Sequence, residues 1–244
     1  MGTFAAPENV LVCYQSSTMR YLLERHPEFF PSKAVTHFYV RESGQAGILG
    51  DWGVGAPGLS IKMEELVALG AKRFIAVGTA GGLMHSHRLA DFVFCPQALA
   101  EDGVAHLYLP SGHSVAQADP TMISEWSAFA KMHYLPPFQP AMAWSFSALF
   151  RETAEDVLRV HSLGCSVVEM EAATLYAIGK EKGVQTLSLF VVSDLISQEE
   201  WTPRVREPAV RDNLHHLADW ALEFAAKKSE PDEILLSSMQ ATRS

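Results

Sequence analysis

Two glutamates bracket a methionine in "VVEMEAATLY", Val167 to Tyr176, where a short apolar run gives way to a helical pattern. A third acid, Asp194, closes the apolar run "VVSD". Carboxyl groups so placed can grip the hydroxyls of a ligand or pass it a proton. They can equally serve the chain itself, Glu169 and Glu171 as acids favoured at a helix N-terminus and Asp194 as the cap of a following turn. Two glycine-rich stretches accompany them. "VGTAGGL" (77–83) follows a buried apolar run directly, and "DWGVGAPGLS" (51–60) precedes a helical pattern. Glycine lets a backbone turn tightly or approach a ligand closely, and a helix N-terminus favours anions.

The second stretch spells G-x-G-x-x-G through Gly53, Gly55 and Gly58. A dinucleotide fingerprint belongs to the first strand–helix unit and is followed, about 20 residues on, by an acid that holds the ribose. Here the loop follows the second or third strand, and the next strand ends "AVGTAGG", without an acid. No Gly-Lys-Ser/Thr follows either, as a P-loop requires. The loop therefore reads as a tight glycine turn before a helix N-terminus, where anions are favoured.

The elements that must position these groups alternate along the chain. Buried strands are expected at "VLVCY" (10–14), "HFYV" (37–40), "QAGILGDW" (45–52), "KRFIAVG" (72–78), "DFVFCPQALA" (91–100), "AMAWSFSALF" (141–150) and "VQTLSLFVVSD" (184–194). Pro96 marks an edge or a bulge in the fifth of these. Helices are expected over 58–69, stopped by Gly70, near 121–132, in "RETAEDVLRVHS", from "VVEME" to Gly183, and in "RDNLHHLADWALEFAAKK". "GTAGG" reads as the turn that ends the 72–78 strand, and "HSH" (85–87) as a solvated loop. Alternating strands and helices imply an α/β sheet, mostly parallel at its centre, in a single domain over 1–244 with a flexible tail from about 230. Ligands bind at the carboxyl ends of strands in such sheets.

Composition narrows the functional classes. The chain has 244 residues, 48% hydrophobic and 19% charged, enough for a sizeable core. Its net charge of -9 argues against a nucleic-acid surface, which needs clustered Lys and Arg. No apolar run approaches the roughly 18 residues of a membrane span, and the N-terminus lacks the pattern of a signal peptide. Cys13, Cys95 and Cys165 are widely spaced and form no ligand pattern, so reduced buried thiols in a cytoplasmic protein are expected, with no metal.

"VEMEAA", "GTAGG" and "GVGAPG" together resemble the nucleoside phosphorylase family, which includes purine and uridine phosphorylases and methylthioadenosine nucleosidases. The resemblance runs, with gaps, over about residues 10–225. It implies a three-layer α/β/α sandwich around a mixed, partly barrel-like sheet, and a dimer-based homo-oligomer. It also implies cleavage of a nucleoside N-glycosidic bond with inorganic phosphate as co-substrate and no cofactor. Glu171 matches the family's ribose-gripping glutamate and Met170 the residue packed under the sugar, with Glu169 and Val168 as neighbours near the base. Ala80 and Gly81 fall with them among the substrate-binding positions. Asp194 matches the acid that protonates a purine leaving group, and Phe150 an aromatic beside the base. Thr79 matches a phosphate-binding hydroxyl. Arg41 would be lent across a dimer, and Arg20 would replace an arginine of a Gly-Asp-Pro-x-Arg loop that is "CYQSSTMR" here. The family's phosphate arginine is replaced by Ala76. Hydrolytic relatives also lack that arginine but use a glutamate at the end of the first strand, a place that neither Glu8, before the strand, nor Glu24, within the following helix, takes. Phosphorolysis of a purine nucleoside is therefore the leading expectation, ahead of hydrolysis with water and of nucleoside binding without turnover.

Overall fold

The computed structural model describes residues 4–197 and 201–227. The tail expected from about 230 lies outside the described residues. The elements run β1 (Asn9–Cys13), α1 (Ser16–Arg25), β2 (Phe30–Pro31), β3 (Phe38–Val40), β4 (Ala46–Gly50), α2 (Ala56–Ala68), β5 (Arg73–Leu83), β6 (Phe92–Glu101), β7 (Val115–Gln117) and α3 (Pro120–Met132). They continue with β8 (Phe138–Phe146), α4 (Ala154–Ser162), β9 (Cys165–Glu169), α5 (Ala172–Lys182), β10 (Gln185–Ile196), β11 (Trp201–Pro203) and α6 (Pro208–Ala226).

All the strands join one mixed sheet. β4, β1, β5 and β10 lie side by side and parallel, and read as unbroken apolar runs because both faces are covered. β10 also pairs β6, which leads through β8 and β9 back to β5. Those five strands close a small barrel beside the open sheet, the layered and partly barrel-like architecture expected from the sequence. α1 and α6 pack together, with the Tyr21 ring stacked on His215 and its hydroxyl on Asp219. α5 packs against α2, buried from Ala172 through Gly179. A Cβ at Gly179 would lie 2.6 Å from Thr186, so glycine there sets how closely α5 approaches β10. Gly183 closes the helix in the left-handed region, as expected.

Three local expectations need correction. "GTAGG" is not a turn: β5 runs through it to Leu83. Its glycines serve close packing, since a Cβ at Gly78 would meet the Tyr14 ring at 2.9 Å and one at Gly81 would meet Ile196, Val168 and Asp194. Asp194 does not end its strand. β10 continues to Ile196, with a bulge between Val192 and Asp194 that re-aims the acid. The 85–87 segment is a turn, but His87 is 8% exposed and bonds Ser166 instead of water. Pro96 does mark a bulge, where the β6–β8 register shifts.

Candidate active site

β5 changes partner along its length, pairing β1 over Arg73–Val77 and β9 at Gly81–Gly82. The stretch between, Gly78 to Ala80, has β10 on one side and an opening on the other. A cavity of about 230 Å³ lies there. Open α/β sheets bind ligands at such switch points.

The sugar side of the resemblance falls together in this cavity. Thr79, Ala80 and Gly81 line it from β5, and Val168, Glu169, Met170 and Glu171 from the β9–α5 junction. The two glutamates, both 4% exposed, differ in what holds them. Glu169 Oε2 accepts the N–H groups of Glu171 and Ala172, each at 2.7 Å, and Oε1 accepts the Ser145 hydroxyl. Its carboxyl is spent on the start of α5, as the structural reading of this acid anticipated. Glu171 occupies the cap position of α5 but turns across to the glycine loop, where the Gly55 N–H donates to Oε1. The Met170 N–H is a second backbone donor to the same carboxyl. Burial pushes both carboxyls up, Glu169 to about 7 and Glu171, with the neighbouring Glu169 charge, to about 8.

The opening glycine loop is thereby explained. Gly53 and Gly55 both have positive φ, and Gly55 caps α2. Gly58 leaves room for the Trp52 indole, 2.6 Å from where a Cβ would stand. The anion met by the loop is the chain's own Glu171 carboxylate.

The rest of the lining is assembled from separate segments. Asp194 Oδ1 accepts the Ser193 hydroxyl at 2.6 Å, and Oδ2 accepts the Trp201 indole N–H at 2.7 Å. Glu152, just before α4, lines the same wall half-buried, and burial together with the Asp194 charge lifts its carboxyl to about 7. Sequence reasoning passed over Glu152, Trp201, Tyr14 and Gln15. Only the last two carried a signal, since they leave the carboxyl end of the first strand. Phe150 does not join the wall. The tight turn Leu149–Arg151 points it outward, 85% exposed and edge-on to Trp201.

Neither predicted phosphate arginine lies in the cavity. Arg20 is exposed on α1 over a hollow it shares with Glu24 and Asp51. Arg41 stacks on Phe29 and pairs with Glu28 and Gln45, outside its own chain's cavity. Among the described residues no Lys or Arg lines the cavity. Ala76 is fully buried between β1 and β10, a place where a guanidinium would have to be desolvated. Among the described residues no cluster of His, Cys, Asp or Glu could hold a metal ion, and no helix is long and apolar enough to cross a membrane.

Comparison with known proteins agrees with the geometry. The chain is similar to the DeoD-type purine nucleoside phosphorylase of an Exiguobacterium species, 27% identical over 173 residues that span 70% of this chain and 73% of the relative. It is 32% identical to the Streptococcus suis protein of the same name over 62% of this chain and 64% of that one. Among solved structures, purine nucleoside phosphorylase from Toxoplasma gondii superposes with a TM-score of 0.76 at 19% identity, covering 91% of both chains. A Campylobacter jejuni 5'-methylthioadenosine/S-adenosyl homocysteine nucleosidase gives 0.75 at 12% identity, covering 90% of this chain and 98% of that one. The sequence profile of the phosphorylase superfamily matches residues 15–226, most of the chain, and the protein belongs to that superfamily.

Proposed function

We propose that this protein is a pentosyltransferase that cleaves the N-glycosidic bond of a purine nucleoside, with phosphate as the ribosyl acceptor. The observation that carries the reading is one cavity lined by both Glu171 and Asp194. Glu171, held at Oε1 by Gly55, offers its carboxyl to the ribose hydroxyls, and in its ionised form, favoured above about pH 8, its charge favours the positive character that the sugar develops. Met170 lies under the sugar. As the C1′–N bond breaks, its electron pair passes to the base, which takes a proton from the Asp194 carboxyl. A phosphate oxygen then forms the new C1′–O bond. Ser193 and Trp201 fix the orientation of Asp194. The protein works as a homo-oligomer in the cytoplasm, a reducing compartment in keeping with its three free, buried cysteines.

A second reading, hydrolysis with water, is favoured by one feature: among the described residues no Lys or Arg lines the cavity to hold a phosphate. Purified protein incubated with inosine, adenosine, guanosine, uridine and methylthioadenosine, with and without phosphate, decides between them. Base release that requires phosphate supports the first reading, and phosphate-independent release the second. No release from any of the five sinks both. Asp194→Asn is expected to lower kcat for purine release by about 10²–10⁴-fold with the thermal midpoint unchanged, and near-normal turnover by that variant would refute the role.

A further inference from the structure

Four large apolar side chains that line the cavity, Val54, Leu149, Trp201 and Val205, are each between 41% and 61% exposed. Exposed apolar residues scattered singly are ordinary on a protein surface, but a group gathered at one cavity marks a place where something binds. Val54 belongs to the glycine loop that holds Glu171. The other three gather round the acids assigned to the base. Trp201 donates its indole N–H to Asp194 Oδ2. Pro203, which also lines the cavity, stands opposite Asp194 in the β10–β11 register, and Val205 follows shortly after it. Leu149 shares its turn with Phe150, whose ring stands edge-on to Trp201 at 6.3 Å between centroids, and Glu152 follows at once.

The structure of a purine says which of its atoms meets this rim. As the bond to N9 breaks, the base takes its proton on N7, the other nitrogen of the five-membered ring. Two carbon positions stand beside that nitrogen. C8 also adjoins N9 and so lies over the sugar, whereas C6 lies on the far side of the base from it. In ordinary purines C6 bears an oxygen or an amino group. The side chains of Leu149, Pro203 and Val205 can neither donate to such a group nor accept from it, and a polar edge set against them loses water without gaining a partner. We propose that the substrate is a purine nucleoside with an apolar group at C6, of the N6-alkyl or N6-benzyl adenosine class, and that Leu149, Trp201, Pro203 and Val205 receive that group. This rests on the N-glycosidic reading above. The substituted amine keeps one N–H and the ring keeps its bare N7, so protonation by Asp194 is unchanged. The bond that breaks is the same C1′–N bond, and the apolar group departs with the base. Each methylene of that group taken out of water is worth about fourfold in binding.

Rates of base release from adenosine, N6-butyladenosine, N6-benzyladenosine and N6-(2-hydroxyethyl)adenosine, measured with phosphate present, test the assignment. In the wild type, kcat/KM for the butyl and benzyl nucleosides should exceed that for adenosine by about tenfold, the worth of roughly two buried methylenes, while the hydroxyethyl nucleoside gains little. Leu149→Asn and Val205→Asn should each lower the butyl-to-adenosine ratio by about threefold or more. The ratio is the readout because a variant that is merely damaged loses both substrates alike. Turnover of adenosine with no gain for either apolar nucleoside overturns the inference and leaves the N-glycosidic reading standing, as does a ratio that neither variant moves. If the variants change the sedimenting mass of the protein while the ratio holds, the rim belongs to a second copy of the chain and the inference falls. A wild-type protein that releases no base from these four, nor from inosine or guanosine, overturns the N-glycosidic reading and the inference with it.

Discussion

The two walls of the cavity are built in opposite ways. The sugar wall is one continuous segment, Val168 to Glu171, pinned where β9 ends and α5 begins and almost wholly buried. Backbone N–H groups hold both of its glutamates. The base wall draws Glu152, Asp194 and Trp201 from a turn, a bulge and a short hairpin strand, all of them partly exposed. A wall fixed by backbone is pre-organised and tolerates little change, whereas a wall of separate side chains can be retuned one residue at a time. The contrast sharpens within the sugar wall. Glu169 and Glu171 are equally buried two residues apart, yet Glu169 is held by the start of α5 and Ser145 while Glu171 reaches across to the glycine loop.

The largest effect should come from Glu171. Glu171→Ala is expected to lower kcat/KM for the nucleoside by about 10²–10³-fold, the usual consequence of deleting one group that stabilises developing charge. Its unfolding midpoint should change little, because the carboxyl removed is buried at a desolvation cost that offsets its two backbone donors. Glu169→Ala should show the reverse emphasis. It strips the partner from the Glu171 and Ala172 N–H groups and from the Ser145 hydroxyl, which itself accepts from Ala173 at 2.9 Å. A loss of about 3 kcal/mol of stability is expected in urea unfolding. If the two variants lost stability and activity in the same proportion, the division of labour between them would fall.

How much of this was legible followed the same division. The β9–α5 junction could be read because its signal is local: an apolar run, two acids and a small-residue helix in consecutive positions. A sheet mostly parallel at its centre followed from the alternation of strands and helices, and β1, β5 and β10 lie parallel there. "GTAGG" misled because adjacent glycines look like a turn, while here they relieve contacts with Tyr14, Val168 and Leu195, which only the tertiary arrangement brings near. Glu152 and Trp201 had no signal in their own neighbourhoods. Their place depends on how β8 and β10 end, and a bulge of one residue at Asp194 decides which way that acid points.

The buried pair also sets a pH dependence. Both carboxyls are raised above their usual value when folded, to about 7 and about 8, so the native state binds more protons than the unfolded chain from roughly pH 4.5 upward. Stability contributed by these groups is complete at the acid end of that window and is lost as pH rises through 7 to 8. The slope is at most about 1.4 kcal/mol per pH unit for each carboxyl. Urea midpoints measured from pH 5 to 8.5 should therefore decline, and Glu171→Gln should flatten the decline between 7 and 8.5. A midpoint that rises with pH across that range in the wild type would contradict the assignment of both acids.

The smallest effect tests the base wall, where Glu152 stands beside Asp194 with its carboxyl lifted to about 7. Above that pH it is ionised and can only accept hydrogen bonds, which suits a base edge bearing N–H groups, such as guanine. Below it the carboxyl carries a proton and can donate, which suits the bare ring nitrogen of adenine. The guanosine-to-adenosine ratio of kcat/KM should therefore climb by up to about tenfold between pH 6 and 8, the worth of one hydrogen bond to a charged group. Glu152→Gln, which offers the same donor and acceptor at every pH, should leave that ratio flat while the fold is undisturbed. Phe150→Ala, cut from the exposed rim, should move neither ratio nor rate by more than about twofold, in line with ordinary surface substitutions. A ratio that tracks pH equally in wild type and Glu152→Gln would shift the reading of the base to Asp194 alone, and the base wall would then rest on a single residue, as the sugar wall does on Glu171.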